Sequence, residues 1–176
     1  MEWTGARYAD TPTAQVEVTI DAPPERIWDV IADPLLMPRF SEELQSVEWV
    51  DDSSSAGGRR EVEVGARFVG TNRHPSIGEW STVSSVVECD RPERFAWAVG
   101  DPGLPAALWR FTLSLDGRGT RLAQWMQLGP GRSGLSLAID ARPDKEQQLV
   151  FVRMREHEEH MHQTLMAIRD LLERPS

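Results

Sequence analysis

One cysteine in 176 residues, Cys89, removes several architectures at once. A lone thiol closes no internal disulfide and cannot supply the paired cysteines of a zinc site. Nothing near it in the chain would lower its pKa, so it reads as a strand residue and not as a nucleophile. Also missing is any run of about 18 apolar residues, which excludes a membrane-spanning helix. Positive charge is scarce: 19 Lys and Arg stand against 28 Asp and Glu, a net charge of −9. That balance leaves no general electrostatic footprint for nucleic acid, whose binding rests on cations neutralising phosphates. The opening MEWTGARYADTP lacks the basic-then-apolar order of a secretory leader, so a cytoplasmic location is the expectation. No phosphate-binding glycine loop, dinucleotide fingerprint or paired zinc motif occurs. Neither an organic cofactor nor a metal is expected.

What is present suits a globular α+β protein: 40% apolar and 27% charged residues, in a length fit for one domain over 1–176. Residues 1–12 read as an N-terminal arm and 51–61, rich in Ser and Gly, as a flexible loop. The longest uninterrupted pattern is at the end. Over 143–172, Val150, Met154, His157, Met161, Leu165, Ile168 and Leu172 recur at steps of three and four, the stripe of an amphipathic helix. Pro143 suits its first turn. Arg155, Glu158, Glu159, Gln163 and Arg169 form its solvated side.

Elsewhere the period is two. Alternation predicts strands at 13–20, 44–50, 66–74, 79–89, 95–99, 107–115 and 120–128. Two short helical pieces are expected after the first strand, at 25–32 and 35–40, separated by Asp33-Pro34. Residues 129–142 read as a mobile connector. The Asp116-Gly117-Arg118-Gly119 turn sets Leu113 opposite Leu122, Phe111 opposite Gln124 and Trp109 opposite Met126. Across the 100–105 loop, Trp97 then meets Trp109, and Phe95 meets Phe111. Across Pro75–Gly78 the expected pair is His74 with Glu79, which puts Phe68 and Asn72 on one face with Val83 and Val87. A slip by one residue there would turn Trp80 inward and Val83 outward. The resulting face, aromatic and Met-rich with a few polar groups, suits either a solid core or an apolar ligand pocket.

Several strings carry a family likeness. VEVTIDAPPERIWDVIAD at 16–33, then Pro34 and Ser41-Glu42-Glu43-Leu44, resembles the opening of START-like proteins. GARFVGTNR at 65–73 and RPERFAW at 91–97 resemble central strands of the same group. With the terminal helix, the likeness covers nearly the whole chain. It points to the START-like (SRPBCC) helix-grip superfamily, nearest its bacterial polyketide cyclase/dehydrase-like branch. The resemblance implies a curved antiparallel sheet of about seven strands around a long C-terminal helix. It also implies a cavity between them for a hydrophobic or aromatic small molecule, lipid or polyketide-like.

On that expectation the walls are Phe68, Phe95, Trp97, Trp109, Phe111, Met126, Met154 and Met161. Asn72, Gln124 and His157 would orient polar groups. His157 interrupts the apolar stripe, so three roles stay open for it: a core histidine satisfied by a neighbour such as Gln124, a ligand contact, or a general acid/base. The last would make the protein a polyketide cyclase or dehydratase. A third class is a protein-interaction module of co-chaperone type. His157, His160 and His162 lie close in sequence, but one helix cannot turn all three toward one metal ion. Exposed sheet edges leave room for a homodimer.

Overall fold

Alternation of Ala14, Val16, Val18 and Ile20 with Gln15, Glu17 and Thr19 makes the first strand, β1, Thr13–Ile20, with the apolar set turned inward. Our computed structural model describes residues 2–50 and 62–174; the loop expected at 51–61 lies outside them. The Asp21–Pro24 break leads into helix α1, Pro24–Ile31, which buries Ile27, Trp28 and Ile31. A proline in the first turn, where the backbone N–H has no helical partner, accounts for its sharp start. Asp33 then caps a six-residue 3-10 helix, Pro34–Arg39, by accepting the Leu35 N–H at 3.1 Å. The second short piece is thus a 3-10 helix.

Strands β2 (Leu44–Trp49), β3 (Arg67–His74), β4 (Gly78–Asp90), β5 (Arg94–Val99), β6 (Ala107–Asp116) and β7 (Gly119–Leu128) complete the sheet. Its order is β1-β7-β6-β5-β4-β3-β2, antiparallel throughout, with β1 and β2 as edges. Helix α3, Glu146–Glu173, lies in the concavity and buries the expected stripe together with Thr164. Twenty-eight residues make it about 42 Å long. This is the helix-grip fold.

The β6–β7 and β5–β6 registers are those expected: Leu113↔Leu122, Phe111↔Gln124, Trp109↔Met126, Phe95↔Phe111 and Trp97↔Trp109. The β3–β4 register differs by one residue. His74 pairs with Gly78, not Glu79, because Gly78 takes a φ of +90° and joins the strand, leaving three residues in the turn. Phe68, Gly70 and Asn72 therefore face inward beside Ser84, Thr82 and Trp80, while Val83 pairs with Val69 on the outside. A bulge between Val86 and Glu88 falls at Val87 and restores Cys89 to the face of Phe95.

Residues 129–142 are not a plain connector: Gly134–Ala141 forms helix α2, preceded by a Ser133 N–H bond to Ser136 Oγ at 3.1 Å. The arm is tied down too. The Tyr8 hydroxyl donates to Gly131 O at 2.6 Å, and Gln147 donates to Gly5 O at 2.6 Å. Two apolar clusters result. The larger holds α1, Phe68, Val86, Phe95, Phe111, Leu113, Leu122 and the C-terminal half of α3. The smaller holds Ala14, Met126, Leu128, Val150, Met154 and Met161.

Candidate functional site

The clusters meet at two tryptophans. Trp97 packs against the larger one and Trp109 against the smaller, and their rings stack at 6.2 Å with planes 8° apart. Both project from central strands of the sheet into the concavity, where their neighbours Phe95, Phe111 and Met126 are at most 1% exposed. Yet both tryptophans stay partly exposed, as do Asn72, His74, Trp80, Thr82 and Val99 on the same face. The concave face is closed at the end covered by α1 and loosens toward the opposite end. Two clefts lined by described residues lie elsewhere. One of about 510 Å³ separates Val16 from the outer side of α3, and one of about 250 Å³ lies between Phe40 and the end of α3. Neither is lined by the tryptophans.

His157 meets the Trp109 ring edge-on at 5.3 Å and is 8% exposed. Burial pushes its imidazole well below the usual histidine range, and the charges of Arg153, His160 and His74 push the same way. It is therefore neutral at pH 7. It does not bond to Gln124. Gln124, on β7 between Val16 and Phe111, keeps its Oε1 buried with no hydrogen-bond partner among the described residues. Asn72 makes only a long bond of its own, Nδ2 to Gly70 O at 3.4 Å.

Along one side of the site runs a set of charged groups. Arg153 donates to both carboxylate oxygens of Glu43 (2.6 and 3.0 Å) and to Glu156 at 3.3 Å. Burial alone would lower the Arg153 pKa; the Glu43 and Glu156 bonds and charges outweigh it and raise it. His160 Nδ1 lies 3.7 Å from Glu43, and His74 Nε2 lies 3.9 Å from Glu156. These contacts tie α3 to the β2–β3 edge. His162 is exposed on the outer cleft. Among the described residues no three His, Cys, Asp or Glu side chains converge as a metal site.

A family model described as polyketide cyclase/dehydrase and lipid transport matches residues 11–144. The chain belongs to that family. No curated protein matches the sequence. Among solved structures, the polyketide cyclase-like protein Cgl2372 of Corynebacterium glutamicum superposes with a TM-score of 0.64 at 24% identity, over 92% of this chain and 91% of that one. The protein TTHA0849 of Thermus thermophilus gives 0.67 at 17%, over 92% and 97%. The di-domain ARO/CYC protein BexL of the BE-7585A biosynthetic pathway gives 0.65 at 17%, over 94% of this chain and 51% of its own. At these identities the likeness is one of fold.

In this polyketide cyclase/dehydrase-family chain, the residues expected from sequence to form one pocket divide. Phe68, Phe95 and Phe111 sit in the closed core, and Met126, Met154 and Met161 are at most 2% exposed in the second cluster. Trp97, Trp109 and His157 come together where the clusters meet, Gln124 lies beside the Trp109–Met126 pair, and Asn72 stands apart on β3 opposite Trp80. The Glu43–Arg153–Glu156 set was not foreseen. Its one signal in the sequence is placement: Arg153 stands four residues before His157, on the border of the apolar stripe, where a cation needs a partner.

Proposed function

We propose that this protein binds a hydrophobic, partly aromatic small molecule between the sheet and α3, against Trp97 and Trp109. The observation that carries this is that two stacked, inward-facing tryptophans at the middle of the sheet remain partly exposed beside neighbours that are fully buried. Such rings offer large apolar area and a flat face for an aromatic ligand. Met126, Met154 and Met161 can re-pack around an irregular shape, since the thioether chain is flexible. Phe68, Phe95 and Phe111 would form the floor. The family description, which joins cyclases, dehydrases and lipid transport, supports a ligand in this place.

Binding is favoured over proton transfer by the surroundings of His157. A general base works best when its pKa lies near the working pH, and burial moves this one away from it. An interaction module with a filled concavity is disfavoured by the partly exposed tryptophans. Native mass spectrometry of the purified protein, followed by denaturing extraction, tests the proposal. A co-purifying apolar molecule is the expected result. A clean protein mass, with no thermal shift across aromatic and lipid compounds, would overturn it.

A further inference from the structure

We propose that the molecule held in the concavity is not an anion and donates a hydrogen bond, and that Gln124 Oε1 receives it. This rests on the binding function proposed above and adds the class of ligand. Gln124 Oε1 is a buried acceptor without a partner, on a side chain only 6% exposed. Its cross-strand neighbours are Val16 and Phe111, and the next inward pair along β6 and β7 is Trp109 with Met126. An amide oxygen can only accept, and leaving it unmatched in a low-dielectric site is unfavourable. Its two cross-strand neighbours carry only hydrocarbon side chains, and neither Trp109 nor His157 on the facing helix bonds to it. A hydroxyl or amide N–H on a ligand lying against Trp109 would supply what the protein does not.

The charges select against an anion. None of the inward positions of the seven strands holds Lys, Arg, Asp or Glu. The nearest cation on the helix, Arg153, is already held by two carboxylates, Glu43 and Glu156, so this rim carries more negative than positive charge. His157 cannot serve as a counter-cation where its surroundings keep it neutral. A carboxylate such as a fatty acid's would be buried unpaired, or would have to compete with Glu43 for Arg153.

Calorimetric titration at pH 7.5 with 2-naphthol, 2-methoxynaphthalene and 2-naphthoate separates the possibilities. These probes share a ring system and differ in offering a donor, no donor or a negative charge. We expect 2-naphthol to bind at least about tenfold tighter than either of the others, the ratio one well-made hydrogen bond supports. In Gln124→Leu, 2-naphthol should lose that advantage over 2-methoxynaphthalene. Equal affinities in the wild type, as a water resident on Gln124 would give, or a preference for 2-naphthoate, would overturn this inference and leave binding itself intact. Retained preference in Gln124→Leu would overturn the assignment to Gln124; Gln124→Met serves if the leucine variant does not fold. Binding of none of the three probes would instead count against the proposed function.

Discussion

A neutral histidine walled in by an indole and flanked by an arginine makes a protein sensitive to acid. The unfolded chain titrates His157 near the ordinary 6.5, while the folded site refuses the proton until a much lower pH. Above that ordinary value both states are neutral and the residue is silent. Below it the unfolded state binds more protons, so stability falls by about 1.4 kcal/mol per pH unit until the folded value is reached. Urea unfolding between pH 7 and 5 should show this slope in the wild type and a shallower one in His157→Gln. Arg153 argues a second case. Replacing it with Met strands Glu43 and Glu156, and because Arg153 and Glu43 are each 13% exposed the loss should be about 3 kcal/mol. Combining it with Glu43→Gln should recover part of that loss, which a double-mutant cycle of unfolding free energies would reveal. His157 was legible as an oddity in an apolar stripe. Although the partner expected for His157 was Gln124, which does not bond to it, the place of Trp109 on the facing sheet surface followed from strand register. The ion-paired neighbours did not, because a helix border residue finds its partner through space and not through spacing.

Among the elements, the segment joining β7 to α3 shows how packing overrides local propensity. Gly129, Pro130, Gly131 and Gly134 read as a loop, and an eight-residue helix is too short to display a period. Helix α2 forms because Leu135 and Ile139 rest on the second apolar cluster and Ser136 satisfies the Ser133 N–H. The glycines before and within it have different duties. At Gly131 an added Cβ would lie 2.1 Å from Leu104 O, so Gly131→Ala must push the 100–105 loop away and should lose about 1–3 kcal/mol. At Gly134, the first residue of α2, a Cβ would meet nothing, and alanine should stabilise by up to about 1 kcal/mol. Chemical denaturation midpoints of the two variants, moving in opposite directions, would check both.

For the whole molecule, the larger apolar cluster holds the fold, and the stacked tryptophans stand where it meets the smaller one, at the place proposed for the ligand. A ligand at about 100 times its dissociation constant should add about 2.7 kcal/mol. For a chain of this size that is a rise in melting temperature of roughly 5–10 °C. Differential scanning fluorimetry with the naphthalene series would measure it, and Trp109→Ala should abolish most of the rise. Patterning along the chain was enough to dictate the strands, the long helix and most of the sheet register. Alternation with period two, a stripe with period three to four and short glycine turns are local facts, and each admits one arrangement once a core must be buried. The same residues carried the family likeness that the match over 11–144 now supports. Packing in three dimensions settled the β3–β4 register, the existence of α2, the ion-pair rim and which aromatic side chains are sealed. Those depend on a positive φ at one glycine, on the surface offered by distant residues and on where a bent sheet parts from a helix, and none of these is encoded in the spacing of neighbours along the chain.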